Sequence, residues 1–173
     1  LRFAKSQVSP ARYWRPRSAI PKDSAKPLAG VKIAIDPGHI GGKWAKMEER
    51  WFQIGDAKPV TEGDMTLRVA KLLKPRLEAL GAQVWLTRSG SEPITSRRPE
   101  ALRKLAVESL REKGDKATSF AITKESERLF YRTAEIRRRA VLVNDSIKPD
   151  LVLALHFNAE AWGNPAKPSL INK

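Results

Sequence analysis

The segment Ile33-Ala34-Ile35-Asp36-Pro37-Gly38-His39 constrains this chain most, because it is an apolar, buried-type strand that stops abruptly on a histidine. The sequence holds two histidines, and the second, His156, closes another apolar run, Leu151-Val152-Leu153-Ala154-Leu155. Short apolar runs bounded by turn residues read as buried strands. In an open α/β sheet the carboxyl ends of the strands present the functional groups. If these two strands are neighbours, both imidazoles converge on one point.

The chain between them alternates as such a sheet requires. A strand is expected near Val31–Asp36, followed by a loop with Gly38, Gly41 and Gly42. Residues 43–60 lack clean periodicity and read as loop with a short helical turn. From Asp64 to Leu80, Leu67, Ala70, Leu73, Leu77 and Leu80 recur at helical spacing, Gly81 supplies the stop and Pro75 predicts a bend. Val84-Trp85-Leu86-Thr87 is the next strand. Strand, helix and strand in this order predict a parallel pair joined by a crossover. Residues 89–125 interrupt the alternation as an insertion, with a helix expected over 95–113. A long helix is predicted over 124–147, with a core stripe of Leu129, Thr133, Ile136, Ala140, Val143 and Ile147. The predicted class is α/β: an open, mostly parallel twisted sheet flanked by helices in three layers. Residues 28–173 form the domain, and it is expected to continue past Lys173. Residues 1–27, with Pro10, Pro16 and Pro21 spaced among Arg, Lys and Ser, read as an extended arm or linker that Tyr13 and Trp14 could pin.

Length and composition narrow the class. A chain of 173 residues buries one core. Without cysteine there is no disulfide framework, thiolate nucleophile or Cys-type zinc finger. No apolar stretch approaches the ~20 residues of a membrane-spanning helix. The first residue, Leu1, is read as the start of a processed or trimmed product. A formal net charge of +14 implies attraction to a polyanion: nucleic acid, an anionic membrane surface or an acidic wall polymer. No nucleic-acid recognition motif accompanies the charge, since the aromatics do not interleave with a basic sheet pattern.

Two strand-end histidines need a third ligand to make a zinc site, and Glu62, just before the helix that starts at Asp64, is the best candidate. Two imidazoles and one carboxylate form a known catalytic zinc set with one open position. Such a metal activates water and polarises a carbonyl, chemistry that hydrolyses amides or esters. Asp36 has two open readings, an outer hydrogen bond that orients His39 or a cap on its own Asp-Pro-Gly turn. Asn158 either holds the loop beneath the metal or touches substrate. Arg139 is open between a buried structural arginine and a functional one. The loop Gly38-His39-Ile40-Gly41-Gly42-Lys43 fits neither glycine-rich phosphate-binding spacing.

At these residues the chain resembles a known family. Leu28 through His39 resembles the opening of the zinc-dependent N-acetylmuramoyl-L-alanine amidases of the Amidase_3 type. Glu62-Gly63-Asp64-Met65-Thr66-Leu67 resembles the segment holding that family's glutamate ligand. Gly81 through Arg88 resembles its second strand. Arg139–Asn144, followed by Asp150–Ala159, resembles the helix and strand that end in its second histidine motif. The resemblance spans about residues 28–160 in order. It implies zinc (Zn2+) at His39, Glu62 and His156, peptidoglycan as partner, and a periplasmic or extracellular setting. The implied reaction is hydrolysis of the amide between N-acetylmuramic acid and L-alanine. Three departures stand out: Ile40 follows the first histidine, Ala154 replaces a serine, and residues 89–125 are inserted. The family's general-base glutamate lies on a later strand, expected here beyond Lys173; Glu160 is a poor substitute. The alternative is a catalytically inactive module of the same fold that binds cell wall or a protein partner.

Overall fold

The computed structural model describes residues 15–22, 25–53 and 55–157. The central element, β1 (Lys32–Pro37), is followed by a 3-10 turn at Gly42–Lys46 and a short antiparallel hairpin, β2 (Trp51–Phe52) and β3 (Val60–Thr61). Helix α1 (Glu62–Ala79) then leads to β4 (Gln83–Leu86). Two further helices, α2 (Arg103–Glu112) and α3 (Ser119–Leu129), precede α4 (Ile136–Val141) and β5 (Leu151–Leu155). The strands β4, β1 and β5 form an open, wholly parallel sheet in that order, with Ile33 opposite Val84 on one side and Ile35 opposite Leu153 on the other. This is the α/β architecture expected from the sequence, with helices flanking a parallel sheet.

Burial follows from strand position. In β1, flanked on both sides, Ile33, Ala34 and Ile35 are buried. The edge strand β5 leaves Leu151 and Val152 48% and 45% exposed. Helix α1 packs on β1 and β4, and a core of Ile33, Ile35, Ala70, Ala82 and Val84 joins them, with Leu73 and Leu77 against it. The Thr61 side chain caps α1 by accepting the Asp64 N–H. The helix begins at Glu62, two residues earlier than periodicity suggests, and continues through Pro75 as one element.

The segment 119–147 differs from the single helix that the sequence predicts. It contains two π-helical stretches, Phe130–Glu135 and Leu142–Ile147, on either side of α4. Each widens the turn by one residue and rotates the buried face. The inward stripe is therefore Phe130, Glu135, Arg139 and Val143, with a spacing of five at the first step. Ile136, expected inside, is 58% exposed, and Ala140 is also outside. The predicted helix over 95–113 is shorter: a 3-10 turn at Pro99–Leu102 leads into α2. Residues 43–60 hold the unpredicted hairpin. Inserted helices α2 and α3 pack on each other, and Leu102 joins Ile40 and Phe130 in a second core with Trp44 and Met47.

Tyr13 and Trp14, proposed to pin the arm, lie outside the described residues. Arg15 is fixed instead, donating from Nε and Nη2 to Asp150 at 2.7 Å each, at the foot of β5. The same carboxylate accepts the Lys32 N–H at 2.8 Å. These bonds hold the Asp150 carboxyl below the usual range: the hydrogen bond from Arg15 outweighs the opposing effect of burial, and the Lys32 N–H adds to it.

Candidate metal centre

β1 and β5 are adjacent and parallel, so His39 and His156 leave the sheet at the same edge. Their rings meet edge to face, with centroids 4.9 Å apart. Glu62, in the first turn of α1, lies between them: its Oε1 is 3.4 Å from His39 Nε2 and 3.4 Å from His156 Nδ1. One donor atom from each residue lies within 4.8 Å of the other two. Ligands bound to a tetrahedral zinc at about 2.0–2.1 Å are about 3.3 Å apart. Two imidazole nitrogens and one carboxylate oxygen at this spacing fit a divalent ion of borderline softness. His39 and Glu62 are partly buried, whereas His156 is exposed, so the cluster opens on one side.

Glycine makes the approach possible. A Cβ on Gly38 would collide with the His156 ring, 2.6 Å from Nδ1, and with the Leu155 carbonyl. A Cβ on Gly63 would likewise collide with the Ile40 backbone and stand 2.7 Å from the Gly41 nitrogen. His39 itself has a φ of +59°, the left-handed region that side chains rarely adopt. Its loop is held from both sides by buried arginines. Arg139 donates to the carbonyls of Pro37 (2.8 Å) and His39 (2.7 Å), while its Nε pairs with Glu135 at 2.9 Å. Arg88 donates to the carbonyls of Pro37 and Gly38 at 3.1 and 3.2 Å, and also to Gly63. Burial, reinforced by the like charge of Arg139, lowers the Arg88 pKa to about 10, so it remains charged near neutral pH.

Asp64 ties the glycine loop to α1. Its carboxylate accepts from Ser91 at 2.5 Å, Thr61 at 2.6 Å and the Gly42 N–H at 2.9 Å. Burial alone would raise its pKa, but these three donors outweigh burial and hold it below the usual range.

The remaining sequence candidates are placed as follows. Asp36 does not bond the His39 imidazole: its Oδ1 accepts from Thr87 and, at 3.1 Å, from Arg139 Nη1. Arg139 is buried and acts on His39 through the backbone. Asn158 and Glu160 lie outside the described residues. Sequence reasoning missed Glu48, whose Oε1 stands 3.8 Å from His39 Nδ1 and whose Oε2 accepts the Ile40 N–H at 2.7 Å. No motif marks it, because the turn that brings it back beneath Ile40 has no periodic signature. Arg88 was visible as part of a strand motif but not as an anchor.

A cleft of about 400 Å³ opens beside the two imidazoles, lined by Gly38, Tyr131, Arg139, Val143 and Val152 among others. No residue of 89–125 lines it. Its acidic residues, Asp36 and Glu135, are both bound by Arg139.

Fold and cluster together define an α/β domain with a His–Glu–His group at the carboxyl edge of a parallel sheet. The sequence profile of the family described as N-acetylmuramoyl-L-alanine amidase (Amidase_3) matches residues 33–167, well over half of the chain. The chain belongs to this family, and membership places it among the peptidoglycan amidases. No match was found among curated proteins or among solved structures. No described helix is long and apolar enough to cross a membrane.

Proposed function

We propose that this chain hydrolyses the amide between the lactyl group of N-acetylmuramic acid and L-alanine in peptidoglycan, using zinc held by His39, Glu62 and His156. The observation that carries this reading is the convergence of those three donor atoms within 4.8 Å in a chain of the amidase family. Bound zinc would supply a Lewis acid for the scissile carbonyl and an activated water near neutral pH. The protein's own groups prepare the site. Arg88 and Arg139 fix the carbonyls of residues 37–39, and Gly38 lets the second imidazole approach. The cleft beside His156 gives the muropeptide stem a place to lie. Asp36 and Glu135 are both bound by Arg139, and the general base is assigned to a residue outside those described. Asn158 is retained as a loop-holding or substrate-touching residue. The cell envelope, periplasmic or extracellular, is the proposed setting, and the +14 charge suits an anionic wall polymer.

The test is metal analysis together with muropeptide digestion. Stoichiometric zinc is expected in the parent and is expected to disappear in a His39→Ala, His156→Ala double variant. Zinc retained by that variant would remove the ligand assignment. Digestion should release stem peptides with a free L-alanine amino terminus. A second reading, a wall-binding module without catalysis, draws on the Arg139-bound state of both acidic cleft residues. Zinc binding with no peptide release would select it.

A further inference from the structure

We propose that Glu48 is the positioning residue of His39: its carboxylate, 3.8 Å from Nδ1, favours the tautomer with the proton on Nδ1, so that Nε2 is presented bare to a divalent metal. The proposal rests on the zinc-site reading above for its purpose and on Glu48's own geometry for its substance. Glu48 follows the 3-10 turn at Gly42–Lys46, and its N–H bonds back to the Trp44 carbonyl. Its side chain is only 6% exposed, unusual for a carboxylate in a basic chain. One oxygen is fixed by the Ile40 N–H at 2.7 Å, which aims the other at His39 Nδ1, 3.8 Å away. The opposite nitrogen, Nε2, faces Glu62 at 3.4 Å. The imidazole therefore stands between two carboxylates with different surroundings: Glu62 also faces His156, whereas Glu48 sees only His39 of the two rings.

A neutral imidazole has one N–H and one lone pair, and an ionised carboxylate can only accept. A carboxylate on Nδ1 therefore selects the tautomer whose lone pair is at Nε2. Metal-binding histidines commonly use such a partner, and its loss typically costs about 10–100-fold in metal affinity. Because Glu48 also holds the Ile40 N–H, it fixes ring orientation and the left-handed turn at His39 together. Glutamine at this position would keep an acceptor for Ile40. Its amide N–H would then face His39 and favour the opposite tautomer.

The experiment has two arms on the full chain. The first reads the His39 tautomer by long-range proton–nitrogen NMR of the metal-free protein, at a pH where the imidazole is neutral. It compares the parent with Glu48→Gln, alone and in a Glu62→Ala background, where Glu48 is the carboxylate left facing the ring. Nδ1–H is expected to dominate in Glu62→Ala and to give way to Nε2–H when Glu48→Gln is added. The same direction of change is expected for Glu48→Gln alone, which covers the case of a poorly folded double variant. A tautomer ratio unmoved by Glu48→Gln in the folded proteins would overturn the proposal. The second arm measures zinc affinity by chelator competition, with an expected loss of about 10–100-fold in Glu48→Gln and none in the exposed neighbour Glu49→Gln. A parent that shows the Glu48-dependent tautomer yet binds no zinc would reject the zinc reading and leave the positioning intact. Zinc affinity equal in parent and Glu48→Gln would overturn the metal-presenting role.

Discussion

Arg139 donates from Nη2 to the backbone carbonyl of His39 at 2.7 Å, although the two residues are 100 positions apart. The guanidinium also reaches Pro37, Asp36 and Glu135, and so joins the helical segment after α3 to the end of β1. A side chain in left-handed conformation costs of order 1–3 kcal/mol and persists only where its surroundings over-determine it. At His39 that role falls to Arg139 on the carbonyl and to Glu48 through the following N–H.

Arg139→Met should therefore destabilise the protein strongly. It leaves Glu135, 1% exposed, without its cation, and breaking a buried ion pair by removing one partner costs about 3–5 kcal/mol. Arg139→Lys keeps the charge but cannot reproduce a planar fork on four acceptors, so an intermediate loss is expected. Urea denaturation measures both. A Met variant within about 1 kcal/mol of the parent, well below that cost, would show that the network is not stabilising.

Gly38→Ala tests the approach of the two imidazoles. The added methyl meets the His156 ring and the Leu155 carbonyl, and overpacking of this kind costs about 1–3 kcal/mol. The strain can be relieved by moving His156, so zinc affinity should fall along with the melting temperature. Gly90→Ala, where a Cβ meets nothing within 4 Å, is the control. Equal zinc affinity in Gly38→Ala and parent would mean that His156 does not need this position.

The sheet was legible because β1, β4 and β5 are short apolar runs with turn residues at their ends. Strand-end placement also singled out His39 and His156 before any geometry was known. The long helix predicted over 124–147 was legible as helical, but its buried face was not. Periodicity assumes 3.6 residues per turn, and the π-turn between Phe130 and Glu135 breaks that assumption. The predicted stripe consequently placed Ile136 inside and left Arg139 and Glu135 unrecognised as a buried pair. Glu48 was hidden for another reason: its meaning depends on a non-periodic loop folding back onto Ile40, and no local pattern encodes that return.

Phe130→Ala measures what the second core, which Leu102 of the insertion joins, contributes. Phe130 is fully buried with Ile40 and Leu102, and Trp44 packs on its ring with centroids 5.2 Å apart. Removing a buried aromatic costs about 3–5 kcal/mol. Because Ile40 adjoins His39, the cavity also loosens the loop that carries His39, and on the proposed zinc reading zinc affinity should fall with stability. Deleting residues 99–118 should behave as a more severe form of the same lesion, giving loss of stability rather than gain of activity. A stable, more active deletion protein would instead identify the insertion as inhibitory.

Acid should weaken the contact between α2 and α3 as Glu125 is protonated. Glu125, 6% exposed, accepts from Arg128 at 2.6 and 2.7 Å, from Lys113 at 2.8 Å and from Ser109 at 2.6 Å. The Arg128 hydrogen bond is the largest influence, and with Lys113 and Ser109 it outweighs burial and lowers the Glu125 pKa from the usual 4.5 to about 2. A folded pKa below the unfolded one means that the unfolded chain binds more protons in this window, so stability rises with pH there. The contribution is fully present above 4.5 and is lost as pH falls towards about 2. Glu125→Gln removes this dependence while leaving other carboxylates in place. The gap in melting temperature between parent and variant should therefore be wide near pH 7 and narrow markedly by about pH 3. A gap that stays constant across that range would show that Glu125 ionisation does not hold the two helices together.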